Sequence, residues 1–342
     1  MIQMTKGKFK GMKTISNRSG IITALAMDQR KPLLQLLADV KRCKPENVPD
    51  ALMSGFKQCV TKELSPYASA VLLDPEYGLK AVKDAKRGTG VLMSYEVSGP
   101  DPDKPGRLPL FIPGWTVRQA VESGAHAIKF LLHYCPTEDR QINAIKHAII
   151  ERVGQECRAC DVPLLLELIG YDAGEGAKPG SLDWAKMKPN VICGGMREFS
   201  KDRYAVDVLK VEIPVDLRYT AGTTSFAQAG RAYTRQQAMR HYQRCSDATT
   251  KPFVYLSAGV SDAQFRESLD MAVEAGVAFS GVLCGRATWQ DGVPKFVKKG
   301  PNALNTWLQG RGVQNIKALN RVLAGATPWY ERYGGLQRIR VK

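Results

Sequence analysis

The chain has 342 residues, of which 44% are hydrophobic and 24% charged, and its formal net charge is +16 at pH 7. This length fits either two domains or one large α/β barrel, and the composition excludes an intrinsically disordered chain. Lysines and arginines are spread over the whole length without interleaved aromatic residues, so we expect no nucleic acid partner. A basic field also attracts phosphorylated metabolites.

The first residues, MIQMTKGKFKG, contain no apolar core of signal-peptide length. No segment approaches the ~18 apolar residues that would span a bilayer, so we expect a cytoplasmic protein with no membrane partner. The eight cysteines are scattered through predicted helices and strands, which is typical of reduced thiols. Cys157 and Cys160 have the spacing of a redox motif, but their place at the end of a predicted helix favours an ordinary structural role.

Short apolar runs alternate along the chain with amphipathic segments of helical length, a pattern typical of repeated βα units. The predicted strands are ITALAMD (Ile22 to Asp28), AVLLDP (Ala70 to Pro75), GVLMSYE (Gly90 to Glu96), AIKFLLHY (Ala127 to Tyr134), PLLLELIGY (Pro163 to Tyr171), DVLKVEIPV (Asp207 to Val215), PFVYLSAG (Pro252 to Gly259) and FSGVLCG (Phe279 to Gly285). Two predicted helical segments follow the first strand, and Thr137 and Ser261 are predicted N-caps of later helices.

Eight strands with helical crossovers, and no internal linker rich in proline, glycine or serine, predict a single closed (β/α)8 TIM barrel of the α/β class. An open doubly wound sheet is the alternative, but the segment AMDQRKP after the first strand lacks its glycine fingerprint. We expect residues 1–342 to form one domain, with a lead-in over about residues 1–20 and a basic C-terminal tail over about residues 330–342.

Charged side chains lie near the ends of four predicted strands, where barrels place their active sites. Asp28 ends the first strand, Lys129 lies in AIKFLL, Glu167 in LLLELIG and Lys210 in VLKVEIPV. Inward-facing charges are costly unless they are paired or functional, so four of them together indicate a site. The alternative is a set of structural ion pairs, for example Lys210 with Glu212.

Two lysines in one barrel indicate a particular chemistry. A free lysine has a pKa of about 10.4 and is a poor nucleophile at pH 7 because it is protonated. Burial and a second ammonium nearby lower that pKa and supply the neutral amine that attacks a carbonyl to form a Schiff base. Lys210 on the sixth strand, with Lys129 and Glu167 on the two preceding strands, is therefore a candidate iminium-forming site.

The histidines are the candidates for a metal-dependent route to the same chemistry. The chain has four, namely His126, His133, His147 and His241. Two lie on predicted helices, and the other two have opposite parity on or beside one strand, so no three can converge in the geometry that zinc needs. We expect neither a metal nor a cofactor.

The last two predicted strands end in glycine-containing turns, SAGVSD (Ser257 to Asp262) and LCGRATW (Leu283 to Trp289). The loops after strands seven and eight are where barrels commonly bind phosphate with backbone N–H groups. Arg286 would add a charge-assisted contact. The alternative is that both are only tight turns, with Ser261 capping the next helix.

Seven segments together resemble the tagatose 1,6-bisphosphate aldolases: ALAMDQR, SPYASAVLLDPEYG, AIKFLLHY, LLLELIGYD, DVLKVEIPV, YLSAGVS and GVLCGRATW. The resemblance extends in order from about Lys8 to about Trp329. It implies a metal-free Schiff-base aldolase on a (β/α)8 barrel, with a phosphorylated ketose as substrate. The expected reaction is reversible cleavage of tagatose 1,6-bisphosphate to dihydroxyacetone phosphate and glyceraldehyde 3-phosphate, and the expected assembly is a homo-oligomer, either a dimer or a tetramer.

The resemblance also implies roles for individual residues. Lys210 would be the Schiff-base lysine and Glu167 the acid/base, while Lys129 would tune the site and Asp28 would help to position the substrate. The residues implied in phosphate binding are Ser257, Gly259, Gly285 and Arg286, and those implied near the sugar or its other phosphate are Gln29 and Arg30.

Three alternatives stay open. A sister branch that resembles the sulfofructose 1-phosphate aldolases shares the lysine and much of the barrel, although LLDPEYG is closer to the tagatose branch. The same barrel would also suit a non-catalytic sugar-phosphate sensor. The third alternative is an isomerase or epimerase that uses Glu167 as its base.

Overall fold

The computed structural model describes residues 1–174, 176–227 and 229–342, and within them a closed barrel of eight parallel strands forms the centre. The strands follow one another around the barrel in chain order, and the eighth is hydrogen-bonded to the first. They are β1 (Ile22–Ala26), β2 (Ala70–Leu73), β3 (Gly90–Ser94), β4 (Ala127–Tyr134), β5 (Leu164–Gly170), β6 (Val208–Glu212), β7 (Phe253–Leu256) and β8 (Gly281–Cys284). Each lies within a sequence-predicted strand, and the predicted barrel is confirmed.

Helices follow most of the strands and cover the outside of the barrel. The α-helices are α1 (Lys6–Ile15), α2 (Lys31–Lys41), α3 (Asp50–Leu64), α4 (Val117–Glu122), α5 (Arg140–Ala159), α6 (Leu182–Phe199), α7 (Arg235–Asp247), α8 (Asp262–Glu274), α9 (Arg286–Trp289), α10 (Val293–Trp307) and α11 (Val313–Val322). In the part of the chain that is described, none of the helices has the length and apolarity needed to cross a membrane.

The alternation of side chains along β6 explains how the sequence separates core from site. Leu209 and Val211 pack into the apolar layer between the strands and the helices, whereas Val208 lies in the interior of the barrel. Lys210 follows Val208 on the inward face and is 3% exposed. Because side chains alternate with period two, the same strand supplies the outer core, the barrel interior and the charged group above it.

The amino-terminal end of the barrel is closed by the two chain termini. Met12 and Ile15 of α1 are fully buried and belong to the apolar cluster that fills the barrel interior. The segment Ile2–Met4 pairs in parallel with Ile339–Val341, so the predicted lead-in and basic tail form a two-stranded sheet with each other. Trp329, 1% exposed, belongs to the same interior cluster.

The two predicted helix N-caps have different outcomes. Ser261 caps α8, and its side chain accepts a hydrogen bond from the backbone N–H of Gln264, as predicted. The prediction for Thr137 is wrong, because α5 begins at Arg140 and its N-cap is Asp139. The Asp139 carboxylate accepts hydrogen bonds from two backbone N–H groups of the first turn, while the Thr137 hydroxyl contacts the thiol of Cys135 at 3.2 Å.

Two small two-stranded sheets lie at the carboxyl-terminal side of the barrel strands. The antiparallel hairpin of Glu96–Pro100 and Pro109–Phe111 follows β3, and the parallel pair of Thr220–Ala221 and Tyr233–Thr234 follows β6. The hairpin is important for the site because its first residue, Glu96, is buried and points toward β4.

All eight cysteines are free thiols. Cys157 is fully buried within α5, and Cys160 follows the last residue of that helix. Burial raises the pKa of the Cys157 thiol well above its ordinary value. A thiol with a raised pKa is a poor nucleophile, which fits the structural interpretation of the CRAC segment.

Candidate active site

A cavity of about 330 Å³ lies at the carboxyl ends of the barrel strands. Every site residue predicted from the sequence lines it, namely Asp28, Gln29, Arg30, Lys129, Glu167, Lys210, Ser257, Gly259, Gly285 and Arg286. Residues on six different strands, or in the loops that follow them, therefore converge on one space. The lining also includes Leu131, Ile169, Leu256 and Leu283, so polar groups are set in a partly apolar wall.

The ammonium of Lys129 is the centre of the charge network. Its Nζ lies 2.8 Å from Oδ2 of Asp28, 2.7 Å from Oε1 of Glu96 and 2.7 Å from Oε2 of Glu167. The carboxylates of Asp28 and Glu96 accept hydrogen bonds from this ammonium, and the carboxylate of Glu167 forms an ion pair with it. Lys129 is 1% exposed, so the network around its ammonium is shielded from bulk water.

These contacts fix the protonation states of the network. Burial alone would lower the pKa of Lys129, but the carboxylates of Asp28, Glu167 and Glu96 raise it well above its ordinary value. Burial likewise opposes ionisation of Asp28 and Glu167, but Lys129 and Lys210 lower the pKa of both carboxyls. Lys129 is therefore held as an ammonium, and the two acids are held as carboxylates.

Lys210 has a different environment from Lys129. Its Nζ lies 2.8 Å from Oε1 of Glu167, so the Glu167 carboxylate bridges the two lysines with its two oxygens. The alternative pairing of Lys210 with Glu212 does not occur, since Glu212 is 3.2 Å from Lys188 and accepts a hydrogen bond from the backbone N–H of Gly170. Glu167 and Lys210 are direct cross-strand partners on β5 and β6, which brings them together.

The loops after β7 and β8 meet on the opposite wall of the cavity. Gly259 has φ +83°, a left-handed conformation that favours glycine, and a Cβ on it would lie 2.8 Å from Cζ of Arg286. At Gly285 a Cβ would lie 2.7 Å from Nε2 of Gln29 and 2.8 Å from the carbonyl oxygen of Ala26. Both glycines thus permit a close approach of backbone and polar side chains, as the two turn motifs predicted.

The loop after β1 contributes Gln29 and Arg30. Arg30 is 4% exposed, and its guanidinium donates to the carboxylate of Glu76 at 3.0 Å and to the carbonyl oxygen of Glu96 at 2.6 Å. Within the described residues, the buried Oε1 of Gln29 and the buried Nε of Arg30 have no hydrogen-bond partner. Two residues that line the cavity therefore each carry a buried polar atom without a partner among the described residues.

A family model described as the DeoC/LacD family aldolase matches residues 22–291, which span the barrel from β1 to beyond β8. The chain belongs to the DeoC/LacD aldolases. A tagatose 1,6-diphosphate aldolase of Listeria monocytogenes (serotype 4a, strain HCC23) is 46% identical over 342 residues, which cover 100% of this chain and 99% of the relative. Tagatose 1,6-diphosphate aldolase 2 of Enterococcus faecalis (strain ATCC 700802 / V583) is 47% identical over 333 residues and 97% and 98% of the two chains.

The fold of this DeoC/LacD aldolase is also found at much lower sequence identity. A fructose-bisphosphate aldolase from Plasmodium falciparum superposes with a TM-score of 0.66 at 14% identity, over 93% of this chain and 94% of that one. At this identity the likeness concerns the barrel alone. The family membership and the barrel confirm the resemblance seen in the sequence, and they make the chain an aldolase and hence a lyase.

Glu96 is the member of the aldolase site that the sequence interpretation missed. It is 4% exposed, contacts Lys129 and accepts the backbone N–H of Leu131 at 3.0 Å. A signal was present, because Glu96 has the same parity as Ser94, which is in register with Lys129 on the neighbouring strand. It was missed because Glu96 ends the predicted strand and the polar segment VSGPDPD follows it, so no apolar neighbours flank it on both sides.

The four histidines of this aldolase lie apart from one another, and each contacts its own set of neighbouring groups. His126 Nδ1 accepts the backbone N–H of Val91, His147 is 3.1 Å from the Tyr134 hydroxyl, and the His241 ring packs on Tyr233 at 4.4 Å. His133 is partly buried on β4, and its pKa is lowered to about 4 by burial first and by the nearby Arg107 and Lys146 cations. Over the described ranges, no group of three or more His, Cys, Asp and Glu residues is arranged to hold a metal ion.

Proposed function

We propose that this chain cleaves tagatose 1,6-bisphosphate to dihydroxyacetone phosphate and glyceraldehyde 3-phosphate through a Schiff base on Lys210. One observation carries the assignment of the lysine. The ammonium of Lys129 lies against three carboxylates, whereas Lys210 is buried beside the cavity and paired with Glu167. The names of the full-length relatives at 46% and 47% identity support the choice of substrate.

The reaction begins with a proton transfer from Lys210 to Glu167, since the two are 2.8 Å apart. The neutral amine adds to C2 of the open-chain ketose, and Glu167 returns a proton as the carbinolamine loses water. In the resulting iminium, the C3–C4 bond breaks and its electron pair moves toward the protonated nitrogen. The C4 hydroxyl gives its proton to Glu167 as glyceraldehyde 3-phosphate departs.

Glu167 gives the proton taken from the C4 hydroxyl to C3 of the remaining enamine, which forms the iminium of dihydroxyacetone phosphate. The first steps then run in reverse: water adds to the iminium and loses a proton to Glu167, the C2–N bond breaks to release dihydroxyacetone phosphate, and Glu167 returns the proton to Lys210. Lys129 stays protonated throughout, and its charge favours the ionised form of Glu167 between the steps. Asp28, held 2.8 Å from Lys129, orients the substrate by accepting from a hydroxyl group.

The two phosphates require separate anion sites. We assign one to the backbone of Ser257, Gly259 and Gly285 together with the guanidinium of Arg286, because these groups form one wall of the cavity. Gln29 and Arg30 on the loop after β1 are assigned to the sugar hydroxyls or the other phosphate. The unpartnered Oε1 of Gln29 and Nε of Arg30, among the described residues, support that assignment.

The decisive experiment is to trap the iminium with borohydride in the presence of dihydroxyacetone phosphate. Hydride adds to C2 and converts the iminium into a stable secondary amine, which peptide mass spectrometry then locates. We expect the adduct on Lys210 in the wild type and none in Lys210→Met. An adduct on Lys129 would overturn the assignment, and the absence of any adduct would favour a sugar-phosphate sensor or an isomerase.

We further infer a cytoplasmic homo-oligomer, either a dimer or a tetramer. Exposed apolar side chains on the hairpin after β3 support self-association, since Leu110 and Phe111 are 36% and 41% exposed. Light scattering coupled to size exclusion gives the mass of the assembly directly. A mass of 37.7 kDa, that of one chain, at micromolar concentration would contradict the inference.

A further inference from the structure

Another buried lysine, besides Lys129 and Lys210, contacts the loop after β1 without lining the cavity. Lys57, on α3, is 0% exposed. Its ammonium donates to the carbonyl oxygens of Met27 at 2.5 Å and Gln29 at 2.9 Å, and to the carboxylate of Asp74 at 2.5 Å. These three acceptors use all three donors of the Lys57 ammonium.

The two carbonyl groups belong to the residues on either side of Asp28. Strand β1 ends at Ala26, so this segment lies beyond the regular ladder, and Met27 keeps one backbone bond, from its N–H to the carbonyl oxygen of Leu72. Lys57 therefore holds the Met27–Asp28 and the Gln29–Arg30 peptide groups at the same time. The direction in which the Asp28 carboxylate projects toward Lys129 depends on both of those groups.

Asp74 holds Lys57 in place from the neighbouring strand. It directly follows β2, is 0% exposed, and its second carboxylate oxygen accepts the backbone N–H of Tyr77 at 2.8 Å. The turn after β2 thus fixes the carboxylate, the carboxylate fixes the ammonium, and the ammonium fixes the loop after β1. Each link is a hydrogen bond, and Lys57, Asp74 and Met27 are fully buried.

The energetic cost of this arrangement indicates a role beyond stability. Burial lowers the pKa of Lys57 even though Asp74 opposes that shift, which means that the charge is held at a desolvation cost. Buried ion pairs are often no more stabilising than well-packed apolar residues of similar volume. What an apolar pair could not supply is two donors to the backbone around Asp28 and a positive charge close to its carboxylate, which favours ionised Asp28.

We propose that Lys57, oriented by Asp74, is a positioning residue that sets the place of Asp28 and Gln29 in the aldolase site without touching the substrate. The proposal rests on the cleavage reaction proposed above. It predicts a loss that is transmitted through Asp28, so the effects of changing Lys57 and Asp28 must not be additive.

The test is a double-mutant cycle on cleavage of tagatose 1,6-bisphosphate. Lys57→Met should lower kcat by about 10²-fold, the size of loss expected from a misplacement of about 1 Å in a reacting site, while KM changes much less. In the Asp28→Asn background the same substitution should lower kcat by less than about threefold. Full additivity, or a kcat within about threefold of the wild type in the single variant, would overturn the proposal.

Lys8→Met is the matched control for the loss of a buried lysine. Lys8 is 7% exposed and pairs with Asp207 at 2.7 Å near the amino-terminal ends of the strands. It should lose stability in urea but keep kcat. If Lys57→Met does not fold, the variant Lys57→Met/Asp74→Leu removes both charges and leaves no unpaired carboxylate, and the same kinetic result is expected.

A crystal structure of the folded variant separates this proposal from the proposed reaction. Residues 27–29 should be displaced relative to β1 in Lys57→Met and unchanged in Lys8→Met. A wild type that cleaves no ketose bisphosphate would disprove the reaction, while the displaced loop would still support the positioning role. An unmoved loop in Lys57→Met would disprove that role even if the enzyme is an active aldolase.

Discussion

Lys129 is the residue on which three buried carboxylates depend. Asp28, Glu96 and Glu167 all lie within 2.8 Å of its ammonium. Removal of this one charge leaves those acids facing one another with Lys210 as the cation beside Glu167. A buried charge that loses its partner is far more costly than an exposed one, because protein atoms around it cannot replace water.

We therefore predict that Lys129→Met lowers the free energy of unfolding by about 3–5 kcal/mol relative to the wild type at pH 7. This difference from the wild type should be smaller at pH 5. In the wild type the pKa values of Asp28 and Glu167 are depressed, so their contribution to stability is present above their unfolded pKa and is lost as pH falls through the folded value. In the variant both acids should have raised pKa values, so acidification should favour its folded state. Urea unfolding at the two pH values measures the difference.

The exposed Lys298→Met on α10 is the control for this pH dependence. Its free energy of unfolding should be within about 0.5 kcal/mol of the wild-type value at both pH values, as is usual for surface substitutions. If Lys129→Met loses the same free energy of unfolding at pH 5 as at pH 7, the loss comes from packing rather than from charge.

At the residue scale, the sequence predicts the inward charges well where apolar neighbours flank them on both sides. Lys129, Glu167 and Lys210 stand out in apolar strands for that reason, and the structure brings them together. Glu96 is hidden by the polar loop that follows it. Lys57 is hidden because a lysine on a helix is usually solvated, and only the tertiary structure reveals that its face of α3 is covered.

The loops after β7 and β8 are the elements that shape the second wall of the cavity. Gly259 and Arg286 come from different loops, and the glycine leaves the space that the guanidinium occupies. The same chain offers another glycine in a left-handed conformation: Gly276, after α8, has φ +68°, and a Cβ there would meet nothing within 4 Å. An alanine at Gly276 would therefore cause backbone strain alone, whereas an alanine at Gly259 would cause backbone strain and also displace Arg286.

We predict that Gly259→Ala raises KM for the ketose bisphosphate by about 10- to 100-fold, the equivalent of one hydrogen bond to a charged group. Its methyl group would lie 2.8 Å from Cζ of Arg286, so the guanidinium must move away from the phosphate position. Gly276→Ala carries a similar backbone strain and should keep KM unchanged. Steady-state kinetics on both variants, with thermal unfolding as a check on folding, measures the contrast; equal KM values would disprove the assigned role of Arg286.

At the element scale, the barrel strands are predictable because each combines a short apolar run with a bounding turn. The cap of α5 is not, since Thr137 and Asp139 are both good N-cap residues and lie two positions apart. The choice depends on where the chain leaves β4, and the contact of Thr137 with Cys135 belongs to that tertiary geometry.

For the whole molecule, we infer that residues 1–342 form one domain. The termini support this inference, because Ile2 pairs with Ile339 and the backbone N–H of Lys342 donates to the carbonyl oxygen of Met4. No local pattern predicts a pairing between the two ends of a chain of 342 residues. The sequence thus indicates a lead-in and a tail, and in the structure they pair as a two-stranded sheet at the amino-terminal end of the barrel.

Substrate choice also belongs to the whole molecule, because it depends on the complete lining of the cavity. Tagatose and fructose 1,6-bisphosphates share C2, both phosphates and the bond that breaks, and they differ in the orientation of the C4 hydroxyl. The lining of the cavity includes the apolar side chains of Leu131, Ile169 and Leu256, which cannot hydrogen-bond to either epimer. Sites without dedicated buried partners discriminate by only about 10- to 200-fold, whereas such partners give 10⁴-fold or more.

We therefore predict cleavage of both bisphosphates, with kcat/KM for tagatose 1,6-bisphosphate less than about 200 times that for fructose 1,6-bisphosphate. Sulfofructose 1-phosphate, measured under the same conditions, tests the group at C6, since the net charge of +16 attracts a phosphate and a sulfonate alike. A marked preference for the sulfonate would assign the chain to the sulfofructose 1-phosphate branch. Rejection of fructose 1,6-bisphosphate by 10⁴-fold or more would mean that the C4 hydroxyl of only one epimer reaches its buried partner, for which Glu167, the proposed acceptor of the C4 proton, is the first candidate.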